Sequence, residues 1–339
     1  MEKRLLGNTG MEVSVIGLGG IPIQRVSEED AINIILECKK QGINFIDTAR
    51  GYTVSEEYIG KGFKAAGREN FYIATKAMSY DYDSMKSSVE ESLNTLEIDY
   101  IDLYQIHSVG TKQQLETVFS ENGALKALKE AKEQGLIKHI GITGHVREIL
   151  IQAIDNFEFE TIQFPFNPVE PQGTELFLKA LKMGMGTIAM KPMAGGAFEH
   201  PVLSLKYIMN SDLITISIPG MDSTEQVIEN ARAGLNEEHL TEEERDIINR
   251  EVESLGTEFC RRCGYCKPCP EGIDIPNVFT FENYVLKYNM PEYGKLRYDQ
   301  LKVKPDECVR CRKCEKKCPY NLPIVNKLKH AVETFKNLE

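Results

Sequence analysis

No stretch of this 339-residue chain approaches the ~18 consecutive apolar residues that a membrane-spanning helix needs. The opening MEKRLLGNTGME carries no apolar h-region of the kind a secretory signal requires. These absences leave no membrane as partner and imply a cytoplasmic protein. Cysteine is nearly missing from the first 256 residues, where Cys38 stands alone. Cys38 completes the apolar helical face Ala31, Ile34, Ile35, and free cysteine packs as a small hydrophobe, so it is expected in the core. Positive charge is also short. The net charge is −11, and the first 256 residues alone carry −16, which argues against nucleic acid as a partner of the main body. From residue 257 onward the balance reverses: 16 Lys and Arg stand against 11 Asp and Glu.

What is present is a long alternation. Hydrophobic residues make up 42% of the chain, enough for a sizeable core. After a Gly-Asn-Thr-Gly turn at 7–10, β-rich runs occur at 15–19, 44–49, 71–76, 100–107, 139–144, 161–166, 187–192 and 215–220. Amphipathic helical segments lie between them, the clearest being Val146, Ile149, Leu150, Ala153 and Phe157 at i, i+3, i+4, i+7 spacing. Ser27 with Asp30 and Thr241 with Glu244 read as helix starts. Eight strands, each followed by a helix, over ~250 residues predict an α/β fold of the closed (β/α)8 TIM barrel type. The competitor is an open doubly wound sheet, supported only by GLGGIP at 17–22. Pro22 spoils that fingerprint, and the glycines read as turn residues at the end of the first strand.

The pattern changes near residue 257, which sets the expected domains at 1–256 and 257–339. Two blocks, CRRCGYCKPCP at 260–270 and CVRCRKCEKKCP at 308–319, each precede a helical segment, at 275–288 and 322–335. This is an internal two-fold repeat. Eight clustered thiols in a reducing compartment point to metal rather than disulfides. Cys308, Cys311, Cys314 and Cys318-Pro319 have the C-x2-C-x2-C-x3-C-P spacing of a 4Fe–4S ferredoxin. The first block departs by one residue before Cys269. Two four-cysteine zinc sites are the alternative, though cysteine triplets at i, i+3, i+6 followed by Cys-Pro are unusual for zinc. The tail resembles a two-cluster, α-helical ferredoxin-type domain. That resemblance implies two 4Fe–4S clusters with crossed ligands: Cys260, Cys263, Cys266 and Cys318 for one, and Cys308, Cys311, Cys314 and Cys269 for the other. The basic run Arg310, Arg312, Lys313, Lys316, Lys317 either balances cluster charge or docks a ferredoxin-like electron carrier.

Four ionisable residues fall at or just beyond the C-terminal ends of three consecutive strands: Asp47, Tyr52, Lys76 and His107. In a (β/α)8 barrel that end is where active sites are built. A carbonyl receiving hydride needs a proton on its oxygen. A tyrosine near pKa ~10 gives one readily only if its phenolate is stabilised. Lys76, held charged by Asp47, supplies that stabilisation, and His107 orients the carbonyl. The segments FIDTARGY, IATK and YQIH resemble the aldo-keto reductase family, as do LGNTGMEVSVIGLGG and the IPG…VIEN stretch at 218–230. The likeness covers roughly residues 1–256. It implies reduction of an aldehyde or ketone by NAD(P)H, with Tyr52 as general acid.

For the cofactor, the resemblance implies contacts from Thr143, Gln163, Lys191, Glu229 and Asn230. The family's Ser-Asn pair reads Thr143-Gly144 here, Met190 takes the nicotinamide-stacking position, and its Lys, Ser and Arg read Gly220, Met221 and Gln226. Without that Arg and Lys a 2′-phosphate loses its charge-assisted partners, which favours NADH over NADPH. The clusters serve electron transfer or structure. Two other readings stay open: a flavin- or ferredoxin-linked electron-transfer enzyme, and a non-catalytic redox-sensing module on a reductase barrel.

Overall fold

The computed structural model describes residues 1–235 and 239–338. Ten strands run in chain order: β1 (Lys3–Leu5), β2 (Glu12–Ser14), β3 (Leu18–Gly19), β4 (Phe45–Asp47), β5 (Tyr72–Ala77), β6 (Ile101–Ile106), β7 (Ile137–Thr143), β8 (Thr161–Pro165), β9 (Gly186–Met190) and β10 (Ile216–Ile218). Between them lie α1 (Glu28–Gln41), α2 (Ser55–Ala66), α3 (Tyr82–Leu96), α4 (Lys112–Phe119), α5 (Ala124–Glu133), α6 (Arg147–Asn156), α7 (Thr174–Lys182) and α8 (Pro201–Met209). After β10 come α9 (Thr224–Leu235), α10 (Glu242–Leu255), α11 (Ile275–Leu286), α12 (Pro291–Asp299), α13 (Lys313–Lys317) and α14 (Ile324–Lys336). No helix among the described residues is long and apolar enough to cross a membrane.

Strands β3 to β10 form one parallel sheet in sequential order. Backbone bonds from Gly17 to Ser217 (2.8 Å) and from Gly19 to Pro219 (2.7 Å) bring its first and last strands together. The architecture is therefore the (β/α)8 barrel, not the open sheet. Gly19 and Gly20 explain themselves here: a Cβ would sit 2.8 Å from the Ile218 carbonyl at Gly19 and 2.8 Å from the Asp47 carbonyl at Gly20. They permit close strand approach rather than a phosphate turn.

The hairpin β1–β2 was not anticipated beyond its 7–10 turn. Its apolar residues Leu6, Met11 and Val13 cluster with Phe45, Ala74, Leu103, Ile188 and Ile216 from inside the barrel. This fills the N-terminal end of the barrel and leaves the opposite end for polar groups. A larger core lies between the sheet and its surrounding helices and includes Cys38, which is fully buried. The connection between β6 and β7 holds two helices, α4 and α5, where one was expected.

The chain divides into two compact units, Met1–Ala194 with His200–Ile248, and Gly195–Glu199 with Asn249–Glu339. The division falls within α10. The second unit has its own apolar cluster, built on Ile273, Ile275, Val278, Phe279, Leu322, Ile324, Leu328 and Ala331 with Cys266 and Cys314. Helices α11 and α14 thus present their apolar stripes to the cysteine blocks that precede them.

Both expected helix caps form. Ser27 Oγ accepts from the Asp30 amide at 3.1 Å. Thr241 Oγ1 accepts from the Glu244 amide at 3.2 Å, and Glu244 Oε2 accepts from the Thr241 amide at 2.8 Å, completing a capping box. Glu244 also takes both hydrogen bonds of the buried Lys206 ammonium, at 2.7 and 2.8 Å. Lys206 and the Thr241 amide together hold the Glu244 carboxyl below its ordinary value. A carboxylate depressed in the folded state contributes stability above its unfolded pKa and loses it as pH falls through the folded one. We expect Glu244→Gln to cost about 1–3 kcal/mol at neutral pH. That difference shrinks toward zero below the ordinary glutamate range. Urea unfolding of both proteins across pH checks it; a pH-independent difference would contradict it.

Candidate active site and metal centre

The barrel places Asp47 at the end of β4, Lys76 one residue before the end of β5, and His107 just past β6. Tyr52 lies in the loop between β4 and α2. Lys76 and Asp47 are 1% and 3% exposed, and Lys76 Nζ donates to Asp47 Oδ2 at 2.5 Å and to the Thr48 carbonyl at 2.8 Å. Gln105 Nε2 lies 3.2 Å from Asp47 Oδ1 and 2.9 Å from Gln163 Oε1. A polar layer therefore crosses the barrel interior through β4, β5, β6 and β8. Burial pulls the Lys76 ammonium below the ordinary lysine value, against the opposing pull of Asp47 and, more weakly, Glu56.

The Lys76 ammonium lies 5.1 Å from the centre of the Tyr52 ring. The Tyr52 and His107 rings meet edge to face, with centroids 6.1 Å apart. His107 is fixed from its backbone: its amide donates to Ala77 O at 3.0 Å, and its carbonyl accepts from Tyr80 Oη at 3.1 Å. All four residues thus converge at the C-terminal mouth. An open cavity lined by Met78, Ser79, Tyr80, Asp81 and Gln114 lies to one side and contains none of them.

Two further residues of the site escaped the sequence reading. Glu56 is 1% exposed and accepts from Thr75 Oγ1 at 2.7 Å, next door to Lys76. Its other oxygen pairs with Arg50, which also reaches Glu91 at 2.9 Å. Arg50 and Glu56 bracket the loop that carries Tyr52, so their ion pair fixes its two ends. Charged residues at i−2 and i+4 from Tyr52 are no signal by themselves, since solvated neighbours such as Glu57 look the same in sequence.

The expected cofactor contacts are more scattered. Thr143 Oγ1 is buried and accepts from the Ser108 amide at 2.9 Å, and Gln163 belongs to the polar layer. Gly144 has no room for a side chain: a Cβ would sit 2.6 Å from Val109 O and 3.1 Å from Leu150. Lys191 follows β9 in a left-handed conformation (φ 56°), its carbonyl gripped by Asn167 Nδ2 at 2.9 Å. Near the end of β10, Asp222 pairs with Arg25 at 2.5 Å. On α9, Asn230 is buried and Glu229 exposed.

In the second unit, one cavity is lined by Cys260, Cys263, Cys266 and Cys318, and another by Cys269, Cys308, Cys311 and Cys314. These are the two sets of four implied by the ferredoxin resemblance, each with its crossed cysteine. The cavities span about 330 and 320 Å³ including their openings. Among the described residues no three Cys, His, Asp or Glu side chains are grouped to hold a single ion; each set rings a space instead. Burial, reinforced by Cys260 and Cys263, pushes the Cys266 thiol up to about 12. Soft thiol donors around an apolar space suit an iron–sulfur group.

The Aldo/keto reductase family model matches residues 15–202, more than half of the chain. The chain belongs to the aldo/keto reductase family. The family model for a 4Fe-4S dicluster domain matches residues 259–323. L-galactose dehydrogenase of Arabidopsis thaliana is 29% identical over 301 residues, covering 72% of this chain and 93% of the plant enzyme. Among solved structures, the holo form of an aldo-keto reductase from Bacillus halodurans superposes with a TM-score of 0.63 at 25% identity, over 74% of this chain and 96% of that one. An aldo-keto reductase from Klebsiella pneumoniae in complex with NADPH shares the fold, with a TM-score of 0.63 at 20% identity over 74% and 95% of the two chains.

Purified without oxygen, this aldo/keto reductase is expected to carry iron and acid-labile sulfide. Cys263→Ser and Cys311→Ser, one from each set, should each remove about half of the iron. Zinc in place of iron, or one substitution emptying neither cavity, would contradict the assignment.

Proposed function

We propose that the chain reduces an aldehyde or ketone with a nicotinamide cofactor, preferring NADH, and that Tyr52 protonates the carbonyl oxygen. The observation that carries this reading is the buried Lys76–Asp47 pair set 5.1 Å below the Tyr52 ring, with the His107 ring edge-on beside it. The nicotinamide, when bound, supplies hydride to the carbonyl carbon. As hydride arrives, negative charge grows on oxygen, and Tyr52 gives up its phenolic proton there. The Lys76 ammonium offsets the phenolate left behind, and Asp47 with the Thr48 carbonyl keeps that ammonium aimed. His107 donates a hydrogen bond to the same oxygen and fixes which face of the carbonyl is presented.

The residues present fit such a cofactor. Thr143 and Gln163 offer polar groups beside the catalytic layer, and Asn230 offers a buried amide on α9. The pairing of Arg25 with Asp222 and the exposed Glu225 and Glu229 carboxylates against the single cation Arg232 on α9 leave little net positive charge for a 2′-phosphate. In the second unit, the two cysteine sets would hold two 4Fe–4S clusters, which supply one-electron capacity for exchange with a ferredoxin-like carrier.

Cofactor oxidation with a panel of aldehydes and ketones tests the reading. Tyr52→Phe should lower kcat by a factor of roughly 100 to 10,000 while leaving cofactor affinity unchanged, with NADH favoured over NADPH in kcat/KM. Undiminished carbonyl reduction by Tyr52→Phe would sink the assignment.

Glu56→Gln should lower kcat about ten-fold with KM little changed, since it loosens the loop that carries Tyr52. It also removes an anion that favours the Lys76 ammonium. That group is charged below its pKa, so the alkaline limb of the kcat/KM profile should move to lower pH. An unshifted profile would mean that Glu56 is structural only.

A further inference from the structure

The two cysteine-lined cavities share a wall, since Ile275 borders both, but their surroundings differ in a way that assigns them different tasks. The cavity of Cys260, Cys263, Cys266 and Cys318 is walled by Arg261 and Arg262, each 8% exposed, together with Pro276, Phe279 and Ile324. Arg261 stacks on Tyr320 with its guanidinium carbon 3.9 Å from the ring centre. Buried cations beside thiolate ligands act through a low dielectric and offset the charge of whatever those ligands hold.

The cavity of Cys269, Cys308, Cys311 and Cys314 is bordered by exposed residues instead. Cys311 is exposed and Val309 is 61% exposed. Around them Arg310, Arg312, Lys313, Lys316 and Lys317 are all exposed. Arg312 lies 3.8 Å from Glu315, a loose contact, and Glu315 also accepts from the Val325 amide at 2.9 Å. Glu271 lines the cavity opposite in sign to Arg312, and Asp306 and Glu307 are exposed, so these acidic residues number three against the five exposed cations from Arg310 to Lys317. Charges this exposed are screened by water and do little for a group inside the cavity. Charge balance therefore accounts for Arg261 and Arg262 but not for this set. An exposed apolar residue within a predominantly basic rim is the layout of a small, transient redox interface.

We infer that the face from Val309 to Lys317 docks an acidic single-electron carrier protein, over the cavity of Cys269, Cys308, Cys311 and Cys314. The inference rests on those cysteines holding an iron–sulfur cluster. Each encounter moves one electron: the reduced carrier loses it, the cluster behind Cys311 gains it, and no bond or proton changes hands. The positive rim steers the approach and sets its dependence on salt.

The test uses the anaerobically purified full chain, with iron and sulfide assayed first. Their absence, or zinc in their place, overturns the inference together with its premise; normal contents isolate the docking question. Binding of an acidic plant-type ferredoxin and of the basic carrier cytochrome c is then measured for the wild type and for the triple variant Arg310→Glu, Lys313→Glu, Lys316→Glu. The ferredoxin should bind the wild type, weakening about ten-fold or more between roughly 0.01 and 0.15 M ionic strength. It should weaken about ten-fold in the variant, whose iron content stays at the wild-type level. The variant should gain affinity for cytochrome c. Unchanged ferredoxin binding in an iron-replete variant, or a wild type that prefers cytochrome c, overturns the proposal. The rate at which pre-reduced ferredoxin bleaches the cluster absorbance should follow the same order, with dithionite reducing both proteins alike.

Discussion

The barrel is organised around a charge it holds out of water. Lys76 and Asp47 sit almost wholly buried, 2.5 Å apart, and an ammonium in that position is tolerable only with its donors satisfied. Asp47 and the Thr48 carbonyl take two of its three, and Gln105 and Gln163 satisfy the remaining face of the layer from β6 and β8. Removing one member of such a pair typically costs ~3–5 kcal/mol, because the other is left buried and uncompensated. The hairpin that fills the far end of the barrel serves the same arrangement, keeping water from the layer on its lower side. Tyr52 is close enough to feel the ammonium, while its loop is fixed at both ends by Arg50 and Glu56.

The second unit solves a different problem. Hydride carries two electrons, whereas an iron–sulfur cluster exchanges one at a time. Two cysteine-lined cavities divided by Ile275 provide for two such charges within one small core. Their unequal surroundings matter more than their number: one lies among buried arginines, the other behind an exposed cysteine in a basic rim. The charge reversal between the first 256 residues and the rest of the chain has its local cause in that rim and in those arginines.

Much of this was legible in the sequence, for physical reasons that can be named. Eight β-rich runs separated by amphipathic helices over ~250 residues sufficed for the barrel, since a parallel sheet needs both. Asp47, Tyr52, Lys76 and His107 stood out because they are ionisable residues at strand ends, where a barrel exposes chemistry. The two cysteine blocks were readable because thiol spacing survives as spacing, and their division into crossed sets followed from the ferredoxin resemblance. Glu56, Arg50 and Gln105 were not readable: nothing distinguishes a buried, paired glutamate at a helix start from the solvated ones beside it until tertiary packing removes the water. The β1–β2 hairpin hid for a related reason. Its strands are three residues long, too short for alternation to register, and Leu6, Met11 and Val13 gain meaning only from the barrel end they fill.

The departures from the family's cofactor pattern carry the argument about which nucleotide is bound. At Gly144 the family's asparagine is not merely missing, for Val109 O and Leu150 occupy the space its side chain would need. The loop after β6 occupies that corner, and the Ser108 amide donates its hydrogen bond to Thr143 Oγ1. In the proposed complex such a corner would offer a nicotinamide fewer side-chain donors, and more of the binding would fall to the far end of the nucleotide. On α9, Glu225, Glu229 and Arg232 are exposed, while Arg25 is drawn to Asp222. A carboxylate accepts hydrogen bonds from ribose hydroxyls and repels a phosphate ester. These two features are what the proposed preference for NADH rests on.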